Sequence, residues 1–373
     1  MWDESGLVLF DVDPSMYDLD RGELAPESTC KHVRAGGGNA IRLTVHCAQG
    51  YTYFQSEIAP LAPTYERGRD YVAEFAASAH RHRLQIAYAI NVASNPTVAE
   101  ARPEWRQIGP DGQPHSWGGA AALCVNTDYL LYLTELVREF TAKYGPDCLC
   151  FDNFALLNGC ACPGCRGTLL GDTGIDIAEI VPGSPEQARY AKWRLERTER
   201  LAWQLGMAAK QYRGDCQVVF SGCHWSDERA HAIGWRPEAT ADWMDGVQSE
   251  VAARWYGHSL SETDMIGAHH RAMGHQGWCW VEHARLPFGR LACPPHELLT
   301  NAASVLAAGC RPCVWPITTT ALEDQSALPA LGELLAQFDG ERDRLTIEGS
   351  FARVGVLSSH VGGGCTDTLR AWC

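Results

Sequence analysis

Cys148-Leu149-Cys150-Phe151-Asp152-Asn153 reads as a short β-strand that ends in an acid. Side chains alternate across a strand, so Cys148, Cys150 and Asp152 share one face, and Leu149 and Phe151 the other. The second face is apolar and suits packing on helices. The first is small or polar and delivers a carboxyl at its C-terminal tip. Seven further stretches read as strands: Leu7–Asp13, Ala40–His46, Leu84–Asn91, Gln217–Gly222, Gly246–Glu250, Trp278–His283 and Pro312–Ile317. Helical stretches separate them, among them Arg67–His82, Asp128–Tyr144, Pro185–Tyr212, Asp264–Met273 and Pro295–Ala308. Strands alternating with helices imply a parallel sheet with crossover connections. Eight such units imply an α/β chain folded as a (β/α)8 TIM barrel with insertions.

The same alternation runs through the other strands. Leu7, Leu9, Asp11 and Asp13 share a face, as do Arg42, Thr44 and His46, and Gln85, Ala87, Ala89 and Asn91. Later come Gly246, Gln248 and Glu250, then Trp278, Trp280 and Glu282. Barrel enzymes build their active sites at the C-terminal ends of the strands. A purely structural barrel has no need of Asp, His, Asn, Asp, Glu and Glu at successive tips. The catalytic barrel is expected to span residues 1–340. Phe351-Ala352-Arg353-Val354-Gly355-Val356-Leu357-Ser358-Ser359 then reads as a new strand, so residues 341–373 are expected to begin a second, truncated α/β domain.

Composition narrows the function classes. Of 373 residues, 46% are hydrophobic and 20% charged, as in ordinary globular proteins. The net charge is -14 and no Lys/Arg run occurs, which argues against nucleic acid or an anionic membrane as partner. Met1-Trp2-Asp3-Glu4-Ser5 lacks the basic and apolar regions of a signal peptide, and no apolar run approaches the ~20 residues of a membrane span. A cytoplasmic location is expected, where the sixteen cysteines would be reduced or metal-bound.

Cys160-Ala161-Cys162-Pro163-Gly164-Cys165 follows directly on the fourth strand. Its Pro-Gly turn can fold three thiols onto one centre, and Cys124, just before a helix start, is the best fourth ligand. Closely spaced cysteines in a chain of this type favour metal over disulfides. Four thiolates close the coordination of zinc, so the zinc is expected to be structural. Free, reduced thiols are the plainer alternative.

Asp152, Glu250 and Glu282 stand at the tips of strands four, six and seven and are the candidate catalytic acids. Glycoside hydrolysis uses two such carboxyl groups. A salt bridge or a substrate hydrogen bond would be the plainer role for any one of them. Trp105, Trp117, Trp225, Trp255, Trp280 and Trp315 could stack on sugar rings, although core packing accounts for many such aromatics. Asp11, His46, Asn91, Asn153 and His224 could bond hydroxyl groups, with Trp225, Trp280 and Trp315 lining the sugar site.

These motifs carry a resemblance. Cys124 followed by Cys160-x-Cys162-x2-Cys165 is similar to the zinc-binding pattern of the family 42 β-galactosidases. Val281-Glu282-His283 resembles that family's strand-seven nucleophile segment. Phe151-Asp152-Asn153 stands where the family carries Asp-Asn-Glu, whose Glu is the acid/base. That Glu corresponds to Phe154 here, so the role does not transfer by position. The chain also resembles glycoside hydrolases related to α-L-fucosidases, through His46-Cys47-Ala48-Gln49-Gly50-Tyr51-Thr52-Tyr53-Phe54, Pro103-Glu104-Trp105-Arg106 and Phe151-Asp152. In the fucosidases an Asp at the end of strand four is the nucleophile.

The resemblance implies a retaining glycosidase acting on a small glycoside or oligosaccharide with a terminal galactose-like or fucose-like sugar. Either Asp152 is the nucleophile and Glu250 or Glu282 the acid/base, or Glu282 is the nucleophile and Asp152 or Glu250 supplies the proton. Family 42 proteins continue into a trimerisation domain, so a homo-oligomer, trimer or dimer, is implied. Two other readings stand beside this one. One is a catalytically inactive carbohydrate-binding barrel, motivated by Phe154. The other is a metal-dependent hydrolase using His46 and His224 with Asp11 or Asp13.

Overall fold

The computed structural model describes residues 8–13, 25–63, 65, 68–222, 227–251, 253, 257–259, 261–275, 277–283, 292–317 and 326–341. Eight strands form the sheet: β1 (Leu9–Val12), β2 (Ala40–His46), β3 (Gln85–Asn91), β4 (Cys148–Asp152), β5 (Gln217–Gly222), β6 (Gly246–Ser249), β7 (Trp278–Glu282) and β8 (Arg311–Ile317). They close into a barrel in the order β1-β8-β7-β6-β5-β4-β3-β2. The registers between β1 and β2, β4 and β5, β6 and β7, β7 and β8, and β8 and β1 are parallel. This is the expected (β/α)8 TIM barrel. Strand ends differ from the sequence reading by about a residue: Asn153, Glu250 and His283 fall just beyond β4, β6 and β7.

The helices are α1 (Pro26–Ala35), α2 (Tyr71–Arg81), α3 (Pro96–Ala101), α4 (Tyr129–Tyr144), α5 (Pro163–Thr173), α6 (Pro185–Tyr212), α7 (Asp227–Ile233), α8 (Ser261–Ala272), α9 (Pro295–Ala307) and α10 (Leu328–Glu341). Local chemistry sets their starts. The sequence pattern allows α2 to begin at Arg67, but Asp70 accepts a hydrogen bond from the Ala73 amide at 3.0 Å and caps the helix there. Ser184 caps α6 through the Gln187 amide, and Pro185 occupies the first helical position, where its missing N–H costs nothing. The end of α4 is closed by left-handed Gly145.

The chain divides into two compact units. One takes in β1, α1, most of β2 and β3, α2, and the described chain from Gly246 onward. In it Phe10 packs tightly on the backbone of Gly36 and Gly38, where an added Cβ would come within 2.9 and 2.6 Å of the ring. Glu27 of α1 ties α2 by accepting hydrogen bonds from Ser78 and Arg81 and bonding His82. On the interior face, Arg42 Nη1 donates to both carboxylate oxygens of Asp11 at 2.8 Å, and both side chains are buried. The register pairs Asp11 with Arg42, so two strands present opposite charges at one level.

The other unit holds the loops after β2 and β3, then the chain from Ile90 to Asp245. Its outer layer rests on Phe220, which contacts Phe151, Phe154, Trp235 and Trp243 at ring-centroid distances of 5.2–5.8 Å. The expected C-terminal domain, with its strand around Val354, lies outside the described residues.

Candidate active site and metal centre

The second unit assembles the end of β2, the end of β3 and the tips of β4 and β5. His46, the last residue of β2, is fully buried. Its Nδ1 lies 3.1 Å from the Asn91 carbonyl oxygen, at the end of β3. A carbonyl can only accept, so Nδ1 carries the proton. Burial pushes the His46 pKa down to about 4, so the ring is neutral at pH 7 and Nε2 is a bare acceptor. Among the described residues nothing bonds this Nε2. The Asn91 side-chain oxygen accepts from Ser94 at 3.4 Å. The Val92 amide donates to the Asp152 carbonyl at 2.9 Å and joins the β3 and β4 tips.

Asp152 ends β4, half-buried, and its register partner is Ser221 of β5. Partners in a parallel register point to the same face, so the Ser221 hydroxyl stands beside Asp152 on the interior face. That hydroxyl is buried and has no hydrogen-bond partner among the described residues. Sequence reading missed Ser221. Its signal was present, since it is the tip residue of the polar parity in Gln217–Gly222.

Asn153 follows with φ +57°, and its amide donates to the Ser221 carbonyl at 3.0 Å. The left-handed turn breaks the strand's alternation. Phe154 therefore goes to the outer layer, 1% exposed and edge-on to Phe220. The position where the resembled family holds its acid/base is a packing position here.

Two more of the candidate acids belong to the first unit, described by itself. Glu250 and Glu282 stand at the ends of β6 and β7, which pair directly, and each is 2% exposed. Trp280 and Trp315 stack on one another, centroids 4.1 Å apart and planes 4° from parallel. Each ring thus spends one face on its neighbour. Asp11 of β1 is ion-paired to Arg42 as described. Trp105 is half-buried against Tyr129 and Tyr132, with Arg102 over its ring. Trp117 is half-buried in a short hairpin, Ser116–Trp117 with Ala120–Ala121. His224, Trp225 and Trp255 lie outside the described residues.

The four cysteines converge. Cys124, Cys160, Cys162 and Cys165 are each buried, and their sulfurs lie within 4.8 Å of one another. Cys124 Sγ is 3.5 Å from Cys165 Sγ and 3.9 Å from Cys160 Sγ. A tetrahedron with metal–sulfur bonds of about 2.3 Å has edges of about 3.8 Å, so a single ion fits. Burial and the neighbouring Cys160 push the Cys124 thiol well up, whereas hydrogen bonds from Cys124, Cys160 and Cys165 pull Cys162 well down.

The surroundings support the cluster. Asn126 Nδ2 donates to Cys165 Sγ at 3.6 Å and to Thr168 at 2.7 Å, and Arg197 donates to Asn126 Oδ1 at 2.8 Å. The buried Gln107 was also missed in the sequence. Its Nε2 donates to the Leu123 and Ala155 carbonyls, and its Oε1 accepts from the Leu157 amide at 2.8 Å. Gln107 and the thiols together pin the loop that follows Asp152.

No family model matches the sequence, and no curated protein matches it. Solved structures do match in fold. The α-L-fucosidase isoenzyme 2 from Paenibacillus thiaminolyticus has a TM-score of 0.71 at 17% identity, covering 91% of this chain and 50% of that one. The PgaB (BpsB) glycoside hydrolase domain from Bordetella bronchiseptica has a TM-score of 0.69 at 13% identity, covering 88% of this chain and 99% of that one. Gan42B, a family 42 β-galactosidase from G. stearothermophilus, has a TM-score of 0.65 at 12% identity, covering 90% of this chain and 57% of that one. The chain thus spans about half the length of the fucosidase and the galactosidase. Its barrel is similar in fold to those of glycoside hydrolases from both groups that the sequence motifs resemble.

Proposed function

We propose that the barrel is a retaining glycoside hydrolase that removes a terminal galactose-like or fucose-like sugar from a small glycoside. The observation that carries the reading is the set of carboxyls at the ends of β4, β6 and β7, on a fold similar to that of glycosidases. Asp152, Glu250 and Glu282 are the catalytic set. Asp152, at the end of β4 where the resembled fucosidases carry their nucleophile, takes that role, and Glu250 or Glu282 is the proton donor.

In the first step the Asp152 carboxylate attacks the anomeric carbon, the glycosidic bond breaks, and the acid protonates the departing oxygen. In the second, the acid, now deprotonated, takes a proton from water, whose oxygen attacks the anomeric carbon, releases the Asp152 carboxylate and restores the original configuration. His46 Nε2 and the Ser221 hydroxyl bond sugar hydroxyls, with Asn91 and Asn153 near them. Trp280 and Trp315 offer their remaining faces to the ring.

The four cysteines would hold a structural zinc. Four thiolates leave such an ion no open position, so it would brace the Asp152 loop and do no chemistry. A cytoplasmic location belongs to this reading, in keeping with a four-cysteine cluster arranged for a metal. No described helix is long and apolar enough to cross a membrane.

A screen of nitrophenyl glycosides tests the reading. Turnover of an α-fucoside or β-galactoside, with the product's first-formed anomer matching the substrate, supports it. Monosaccharide binding with no turnover of any glycoside replaces it with the carbohydrate-binding barrel.

A further inference from the structure

A second group of soft donors lies wholly within the unit that carries β6, β7 and β8. His270 of α8, Cys279 of β7 and Cys310 just before β8 place one ligand atom each within 4.8 Å of the others. All three are buried, at 2%, 0% and 4% exposure. On β7 the interior-facing parity is Trp278, Trp280 and Glu282, so Cys279 points the other way, toward the helical layer. The cluster thus stands behind the barrel wall and takes no part in the proposed chemistry.

Its construction is specific. Ser249 Oγ lies 2.9 Å from His270 Nε2, and Cys310 Sγ lies 3.6 Å from His270 Nδ1. With Nε2–H donating to the serine, the Nδ1 lone pair faces the two sulfurs. Metal-bound histidines are oriented in this way, by a hydrogen bond on the far ring nitrogen. Two glycines give the ring its room. A Cβ at Gly277 would lie 1.8 Å from His270 Nδ1, and one at Gly267 would lie 2.1 Å from the Ala308 carbonyl oxygen. The second allows α8 to press onto the turn that leads to Cys310.

The geometry points to a second metal site, with His270 Nδ1, Cys279 Sγ and Cys310 Sγ as a three-donor cradle for a thiophilic d10 cation, Zn2+ or Cu+. Thiolate and imidazole together select this class over hard cations such as Mg2+ or Ca2+. Binding ionises both thiols and releases their protons to solvent. The bound ion would staple α8 to β7 and to the start of β8. Through Ser249 it would also steady the end of β6, one residue before Glu250.

The test counts ions on the intact chain, purified without chelator from zinc-supplemented and, separately, copper-supplemented cells. Native mass spectrometry should lose one ion per chain in Cys279→Ser and again in Cys310→Ser, relative to the unmodified protein. Cys162→Ser should lose a different ion and leave this one. Anomalous scattering at the zinc and copper edges, on crystals of the unmodified protein, should place a peak among the three atoms, and this measurement does not depend on the variants folding. The zinc-grown and copper-grown samples distinguish the two cations. No peak, or no change in ion count, overturns the site. A Cys279–Cys310 disulfide, seen as two thiols that resist alkylation in denaturant without reductant, overturns it as well.

Discussion

His46 Nδ1 donates to the Asn91 carbonyl oxygen across the ends of β2 and β3, and this one bond decides what the rest of the ring can do. It fixes the tautomer and leaves Nε2 an acceptor. Burial then holds the ring neutral, with a pKa of about 4 against an ordinary value near 6.5. Between those values the unfolded chain binds a proton that the folded chain refuses. The contribution to stability is complete above pH ~6.5 and is lost as pH falls toward ~4, on the order of 3 kcal/mol in all. His46→Gln should flatten that part of the acid limb in urea unfolding followed from pH 7 to pH 4. An unchanged limb would show that His46 takes up its proton as readily in the fold as in the unfolded chain.

Asp152→Asn should remove nearly all turnover of the best glycoside while secondary structure and metal content stay at the level of the unmodified protein. If the variant keeps full activity, Glu250 and Glu282 must form the catalytic pair between them.

Ser221→Ala separates binding from stability. The hydroxyl is buried without a described partner, so the folded protein gains little from it. An unmade hydrogen bond costs about 1–3 kcal/mol on burial, and removing the group should leave thermal stability unchanged or slightly raised. Substrate affinity should fall about five- to tenfold, the worth of roughly one hydrogen bond. A destabilised variant with normal KM would reverse the assignment.

Phe154→Glu restores the acid of the resembled family and should still fail as a rescue. The side chain at this site is buried and packs edge-on to Phe220 in the outer layer. An unpaired buried charge there should cost about 3 kcal/mol or more. Thermal unfolding and the activity of Asp152→Asn combined with Phe154→Glu check both halves.

Cys162→Ser and Gly164→Ala should both weaken the proposed zinc site, by different routes. The first removes a ligand. The second pushes a Cβ to 2.3 Å from the Asn126 carbonyl oxygen and so displaces the residue that bonds Cys165. Metal content should fall in both, with a lower melting temperature and easier proteolysis near Asp152. Full metal retention in Gly164→Ala would mean that the Asn126 segment moves freely with the turn.

The sequence by itself determined the barrel and the thiol centre. Period-two alternation marks the faces of a strand wherever it stands, and the spacing of Cys160, Cys162 and Cys165 brings three sulfurs together through a local turn. Cys124 was also legible, because it precedes a helix start whose loop returns to the same place. Tertiary structure decided what depends on neighbours distant in the chain. Only the register of β4 with β5 puts Ser221 beside Asp152. Only the pairing of β1 with β2 gives Asp11 an Arg42 partner at its own level. The left-handed turn at Asn153 sends Phe154 outward, and alternation cannot foresee where alternation ends. Trp280 and Trp315 stack on each other because they stand diagonally on adjacent strands, in a register that pairs Trp280 with Cys313 and Trp315 with Glu282. The His270, Cys279 and Cys310 group has no sequence spacing at all, since a helix, a strand and a turn meet there only through packing.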